Sequence, residues 1–139
     1  MLKLYYKIWV AAITRIRSVP YSKDNWKFVT MGDMSLLQSF NLLTIYMVLY
    51  SLGLKFTIIE NIINIHFLDF APIEDLIKFF IFVYLPLLIM NHVLIFRNNR
   101  YEYLIAKYAP QRIQIFAYYY IFTFVVFLCP IIIRQLFLK

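Results

Sequence analysis

FFIFVYLPLLIMNHVLIF, residues 79–96, runs straight into RNNR at 97–100, and the reading of this stretch decides the fold. Eighteen residues pass without a charged side chain, and then two arginines arrive within four positions. A helix needs about 20 apolar residues to cross roughly 30 Å of hydrocarbon. The stretch therefore predicts a helix that ends where lipid meets water. Within it, Asn91 and His92 are the polar exceptions, placed near the charged end.

The same pattern occurs twice more. Residues 34–54 and 113–133 are also free of charge, while the intervening blocks hold all 14 basic and 7 acidic residues. Hydrophobic residues make up 63% of the 139-residue chain, against the usual 45–50% or so of a soluble domain. Charged residues fall to 15%, and mean hydropathy is +0.73. One small soluble domain cannot hide that much apolar surface inside itself, whereas lipid can cover it. Spans are expected at 35–54, 73–96 and 113–137, as helices, because hydrocarbon offers no partner for backbone N–H and C=O groups.

Lys and Arg orient the chain. Residues 1–33 hold six basic and two acidic side chains, and 97–112 hold four and one. By contrast, 55–78 hold two basic and four acidic ones. The positive-inside bias puts the N-terminus and the 97–112 hairpin in the cytoplasm and the C-terminus outside, with Arg134 and Lys139 pulling mildly the other way. The segment 55–72, KFTIIENIINIHFLDFAP, is apolar enough to compete as a fourth span. Glu60, Asn61, Asn64, His66 and Asp69 argue instead for an amphipathic piece at the outer face or one re-entering partway.

Residues 2–18 read as a basic amphipathic helix. Leu2, Tyr5, Ile8, Trp9, Ala12, Ile13 and Ile16 share one face, opposite Lys3, Lys7, Thr14, Arg17 and Ser18. Such a helix suits the headgroup plane; docking on the protein's own spans or on a partner is the rival reading. Pro20 ends it, and YSKDNWKFVTMGD leads to the first span with Trp26 as an interfacial anchor. Lys3, Lys7, Arg15 and Arg17 break every apolar stretch near the start, so no cleavable signal is evident and the tract is expected to be retained. After the 97–100 break, Tyr101, Leu104, Ile105 and Tyr108 follow helical spacing, predicting a short amphipathic helix on the inner leaflet. Together Lys3, Lys7, Arg15, Arg17, Arg97, Arg100, Lys107 and Arg112 are expected to meet anionic phospholipid headgroups and to set orientation.

Chemistry is thinly signalled. His66, Asp69, Glu74 and Asp75 offer carboxylates beside an imidazole, which can bind a cation or act as an acid–base pair. Pro72 interrupts any shared helical face, and acidic residues also suit the first turn of the following helix. Asn91 and His92 are expected at the interface, bonded to headgroups, water or a neighbouring helix. Ser35, Gln38, Ser39 and Asn41 crowd the start of the first span and read as helix-packing groups rather than a pore lining. Pro86 and Pro130 are expected to kink the second and third spans. The single cysteine, Cys129, excludes an intrachain disulfide framework. No glycine-rich phosphate loop, HExxH, GxSxG or internal repeat occurs, and no cofactor or metal is expected. The basic residues flank lipid spans, which argues against nucleic acid as a partner.

The 91–112 stretch, with Asn91, Phe96, Arg100, Tyr101 and Lys107, and the basic N-terminus with Trp26-Lys27, resembles a group of small uncharacterised bacterial multi-pass membrane proteins. The resemblance implies the bacterial inner membrane and no particular activity. The expectation is thus an all-α integral membrane protein with three transmembrane helices plus an N-terminal amphipathic interfacial helix, one domain over 1–139. Three functional readings follow, in order. The first is a non-enzymatic accessory subunit that binds another membrane protein or itself. The second is an oligomeric pore or membrane-disrupting effector, and the third an enzyme on a lipid-linked substrate.

Overall fold

The computed structural model describes residues 2–20, 24–54, 71–108 and 114–137, and among them every regular element is helical. Residues 55–70, with His66 and Asp69, and residues 109–113, with Arg112, lie outside the described residues. Helix α1 is Leu2–Ser18 and α2 is Trp26–Ser51. Residues 71–96 form α3, a composite of α-helical Ala71–Phe79, π-helical Phe80–Tyr84, α-helical Leu85–Asn91 and π-helical His92–Phe96. A 3₁₀ turn, Arg97–Asn99, leads to α4, Arg100–Tyr108, and α5 is Gln114–Phe137. Two stretches, Trp26–Ser51 and Ile73–Tyr108, are long and apolar enough to cross a membrane.

Helix α2 begins well before the expected 35, because nothing in WKFVTMGD breaks a helix. Val29 N–H bonds the Asn25 carbonyl at 3.0 Å, and the helix continues without interruption. Its end is chemically explicit. Gly53 takes φ +83°, and Leu54 N–H reaches back to the Leu49 carbonyl at 3.1 Å, the Schellman closure that a residue without Cβ permits. In α3 the π turn Phe80–Tyr84 immediately precedes Pro86. Proline has no N–H and its ring crowds the carbonyl four residues back, so widening the turn relieves the clash. Leu85 N–H accordingly bonds Phe80 O. The second π turn ends the helix, and Asn98 and Asn99 reverse the chain with φ of 55° and 54°, a left-handed conformation asparagine tolerates better than most residues.

Helix α2 is the hub, packing against α1, α3 and α5. Helix α1 lies antiparallel alongside it. Arg17, at the end of α1, stacks on Trp26 at the start of α2, while Tyr5 sits beside Gln38 three turns further along. Trp9, Val10, Ala11, Ala12 and Ile13 are buried on all sides. The apolar face expected to lie on lipid headgroups is instead covered by α2, α4 and α5. The predicted face of α4 behaves likewise. Tyr101 and Leu104 are buried and Ile105 and Tyr108 pack against the core, so the two short amphipathic helices cover each other. The remaining core members, Met34, Leu37, Ile95, Phe96 and Phe116, gather the start of α2, the end of α3 and the start of α5 around them. Full burial of a large apolar side chain contributes about 1.5–3 kcal/mol, so this cluster is the energetic centre of the described structure.

Candidate functional site

The polar site with the most complete geometry is centred on Asn91. Its side chain is fully buried where α3 packs on α2, beside Tyr5 of α1. Asn91 Nδ2 donates to Ser35 Oγ at 2.9 Å and to Gln38 Oε1 at 2.8 Å, and its Oδ1 accepts from the Tyr5 hydroxyl at 3.1 Å. Both amide protons and the carbonyl oxygen are thereby used. A buried amide left unsatisfied costs about 1–3 kcal/mol, so this arrangement is one that holds only when three helices arrive together. Burial also pushes the Tyr5 hydroxyl up from the ordinary phenolic range.

Small residues let the helices come close enough for these bonds. Gly32, Ser35 and Ser39 share the side of α2 that faces α3. A Cβ on Gly32 would meet the Tyr84 hydroxyl at 3.3 Å, and Ser39 folds its own hydroxyl back onto the Ser35 carbonyl at 2.8 Å. On another side of α2, Asn41 Nδ2 donates to the Tyr119 hydroxyl of α5 at 2.9 Å. The four residues expected to pack helices thus divide. Ser35 and Gln38 serve the Asn91 centre, Asn41 serves α5, and Ser39 caps its own helix backbone.

Asn91 and His92, adjacent in sequence, separate in space. Asn91 is buried and His92 exposed, because neighbours on a helix point about 100° apart. Of the expected partners, Asn91 therefore takes neighbouring helices.

The basic residues are held over aromatic rings. The Arg17 guanidinium lies 4.2 Å from the Trp26 centroid, Lys27 Nζ 4.8 Å from that of Tyr101, and the Arg15 guanidinium 5.7 Å from that of Phe116. Each such contact contributes about 0.5–1 kcal/mol at an exposed position, and together they join α1 to α2 and α5, and α2 to α4. Arg97 and Arg100 line a shallow notch of about 380 Å³ with Val93 and Asn98. Lys107 Nζ lies 3.1 Å from the Tyr103 hydroxyl, and that bond holds the ammonium pKa above its usual value. Lys3 is exposed and Lys7 half-buried on α1.

The acidic candidates do not converge. Glu74 pairs with Lys78 at 2.8 Å, one helical turn away, and both side chains are buried. Asp75 is exposed. Among the described residues no three His, Cys, Asp or Glu side chains come together in a metal-holding group.

Sequence reasoning missed three participants. Tyr5 reads as an apolar-face aromatic and Tyr119 is not singled out, and only their hydroxyls, which need partners when buried, signal more. Asp33 was counted outside a span beginning at 35. It lies inside continuous α2, exposed beside Phe28, Leu36, Phe79 and Phe80. Against known protein families, characterised proteins and solved structures, this chain finds no match.

Proposed function

We propose that the protein is a three-span integral membrane protein of the bacterial inner membrane, N-terminus cytoplasmic, acting as a non-enzymatic accessory subunit that binds another membrane protein or a second copy. One observation carries this reading. The long helices turn their apolar side chains outward, with only 28% and 17% of the most apolar windows of the two candidate spans buried. The core helix of a soluble protein would be mostly covered. Leu42, Ile45, Phe82, Ile89, Ile121 and Phe122 are all between 47% and 63% exposed, an apolar band that needs lipid or a partner. Helix α5, at 24 residues, supplies the third crossing, about 36 Å at 1.5 Å per residue.

The polar groups that meet inside the bundle favour assembly over chemistry. Tyr5, Ser35, Gln38 and Asn91 satisfy one another and present no nucleophile with a base. Glu74, one of the acidic candidates, is engaged by Lys78. The basic residues of α1 and of the 97–100 turn place anionic phospholipid at the cytoplasmic side in this reading.

Two measurements test it. Reporter fusions should place the N-terminus inside and the C-terminus outside, and alkaline carbonate should leave the chain in the membrane pellet. Mild detergent extraction followed by native mass spectrometry should recover the chain bound to a second protein or to itself. A strictly monomeric, partnerless species would overturn the accessory role.

A further inference from the structure

The side of α2 turned away from α1 carries Phe28, Val29, Leu36 and Asp33, and α3 faces it with Phe79, Phe80 and Tyr84. Between them is an open groove of about 370 Å³ whose only charged lining residue, among the described residues, is Asp33. Asp33 makes no ion pair or hydrogen bond with any described residue. Its level in the bundle is set by its neighbours. Trp26 packs on Phe96 and Tyr101, where the basic 97–112 block begins. Asp33 lies seven residues further along α2, about 10 Å at 1.5 Å per residue. The opposing wall comes from 79–84, inside an uncharged run.

We propose that this groove is the docking surface for a transmembrane helix of a partner protein, and that the partner helix carries a lysine or arginine that pairs with Asp33. The inference rests on the accessory-subunit reading and names the surface and the chemistry of the partner. Ionisable side chains inside a membrane face the interior of a bundle and pair with one another, and among the described residues Asp33 has no such pairing. Charge complementarity then selects the occupant. A second copy is a poor fit, because 34–54, 79–96 and 113–133 contain no cation and Lys78 is already paired with Glu74. Lys7 sits at a comparable level on α1, but α1 packs on the other side of α2, so a two-fold pair of chains does not bring it into the partner's groove.

The test uses the full chain in two settings. In phosphatidylcholine vesicles, a labelled 23-residue leucine–alanine helix with one lysine near its cytoplasmic-side third should associate at least tenfold more tightly than the same helix with leucine there. Asp33→Asn should remove that difference and Asp33→Glu should keep it, with unchanged helical circular dichroism in both. Equal association with wild type and Asp33→Asn overturns the proposal. In native membranes, a photo-cross-linker at Leu36 should capture a protein whose apolar helix contains Lys or Arg, and Asp33→Asn should reduce the yield several-fold. Capture only from Phe122, on α5, leaves a partner in place and overturns this docking surface. Capture of a second copy at Leu36 overturns the choice of occupant. No capture from either position removes the accessory role and this inference with it.

Discussion

The two halves of the bundle solve burial in opposite ways. At one end α1, α4 and the adjoining parts of α2, α3 and α5 close around Trp9, Ile13, Met34, Leu37 and Ile95, all at 1% exposure or less. Toward the other end of α2 and α5, Ile45, Val48, Ile121 and Val125 stand 43–61% exposed, although these segments are at least as apolar. Apolar character alone therefore does not say what a helix is buried in. The difference lies in the flanks. Amphipathic α1 and α4 give the first end extra surface to fold over the long helices. The described residues supply nothing comparable at the other end.

The contrast can be broken most directly at Trp9. Trp9→Ala should lower stability in detergent by about 3–5 kcal/mol, the usual penalty for emptying a large aromatic site. The equivalent change at Phe122 should stay within about 0.5 kcal/mol. Parallel chemical denaturation of the two variants checks this, and comparable losses would erase the distinction between the halves.

A smaller effect is expected at the Asn91 centre. Asn91→Leu removes one amide but strands the Tyr5 hydroxyl and Gln38, for a loss of about 1–3 kcal/mol. A double-mutant cycle of Asn91→Ala with Ser35→Ala should give a coupling of about 0.6 kcal/mol and no more than about 1.7. Zero coupling would mean that the helices meet for reasons of shape alone.

Gly32 sharpens the comparison at the close crossing of α2 and α3. Gly32→Ala gains helix propensity but presses a methyl toward the Tyr84 hydroxyl at 3.3 Å. Alone it should be slightly destabilising, by about 0.5 kcal/mol, while with Tyr84→Phe it should recover up to about 1 kcal/mol in thermal unfolding. An unassisted stabilisation would place that hydroxyl elsewhere. Arg17→Ala is expected to cost about 0.5–1 kcal/mol with Arg17→Lys intermediate, read as a shift in urea midpoint.

Much of this architecture was legible in advance because charge cannot be hidden cheaply. The gaps at 34–54, 79–96 and 113–133 mark helical segments, and RNNR marks a stop, since two asparagines can turn the chain left-handed where other residues strain. The faces of α1 and α4 were also legible, from the spacing of Trp9, Ile13 and Ile16 and of Tyr101, Leu104 and Ile105. What each face meets was not. A stripe of leucines, tryptophans and tyrosines has the same spacing whether it lies on lipid or on another helix. Which of its expected partners Asn91 takes was open for a related reason. A polar residue near a helix end is ordinarily solvated, and only partners 53 to 86 positions away in the chain could bury it.

By itself, then, the sequence determined that the charge-free segments are helical, which faces of α1 and α4 are apolar, and where along the chain the positive charge gathers. These follow from local chemistry: propensity, periodicity, proline and glycine, and the price of charge in hydrocarbon. Only the tertiary structure decided that α1 lies antiparallel along α2 under the cover of α4 and that Asn91 joins three helices. It also decided that Asp33 faces an apolar groove with no partner among the described residues. Those outcomes depend on pairs of residues far apart in the chain, and no single segment carries the information about what will be brought against it.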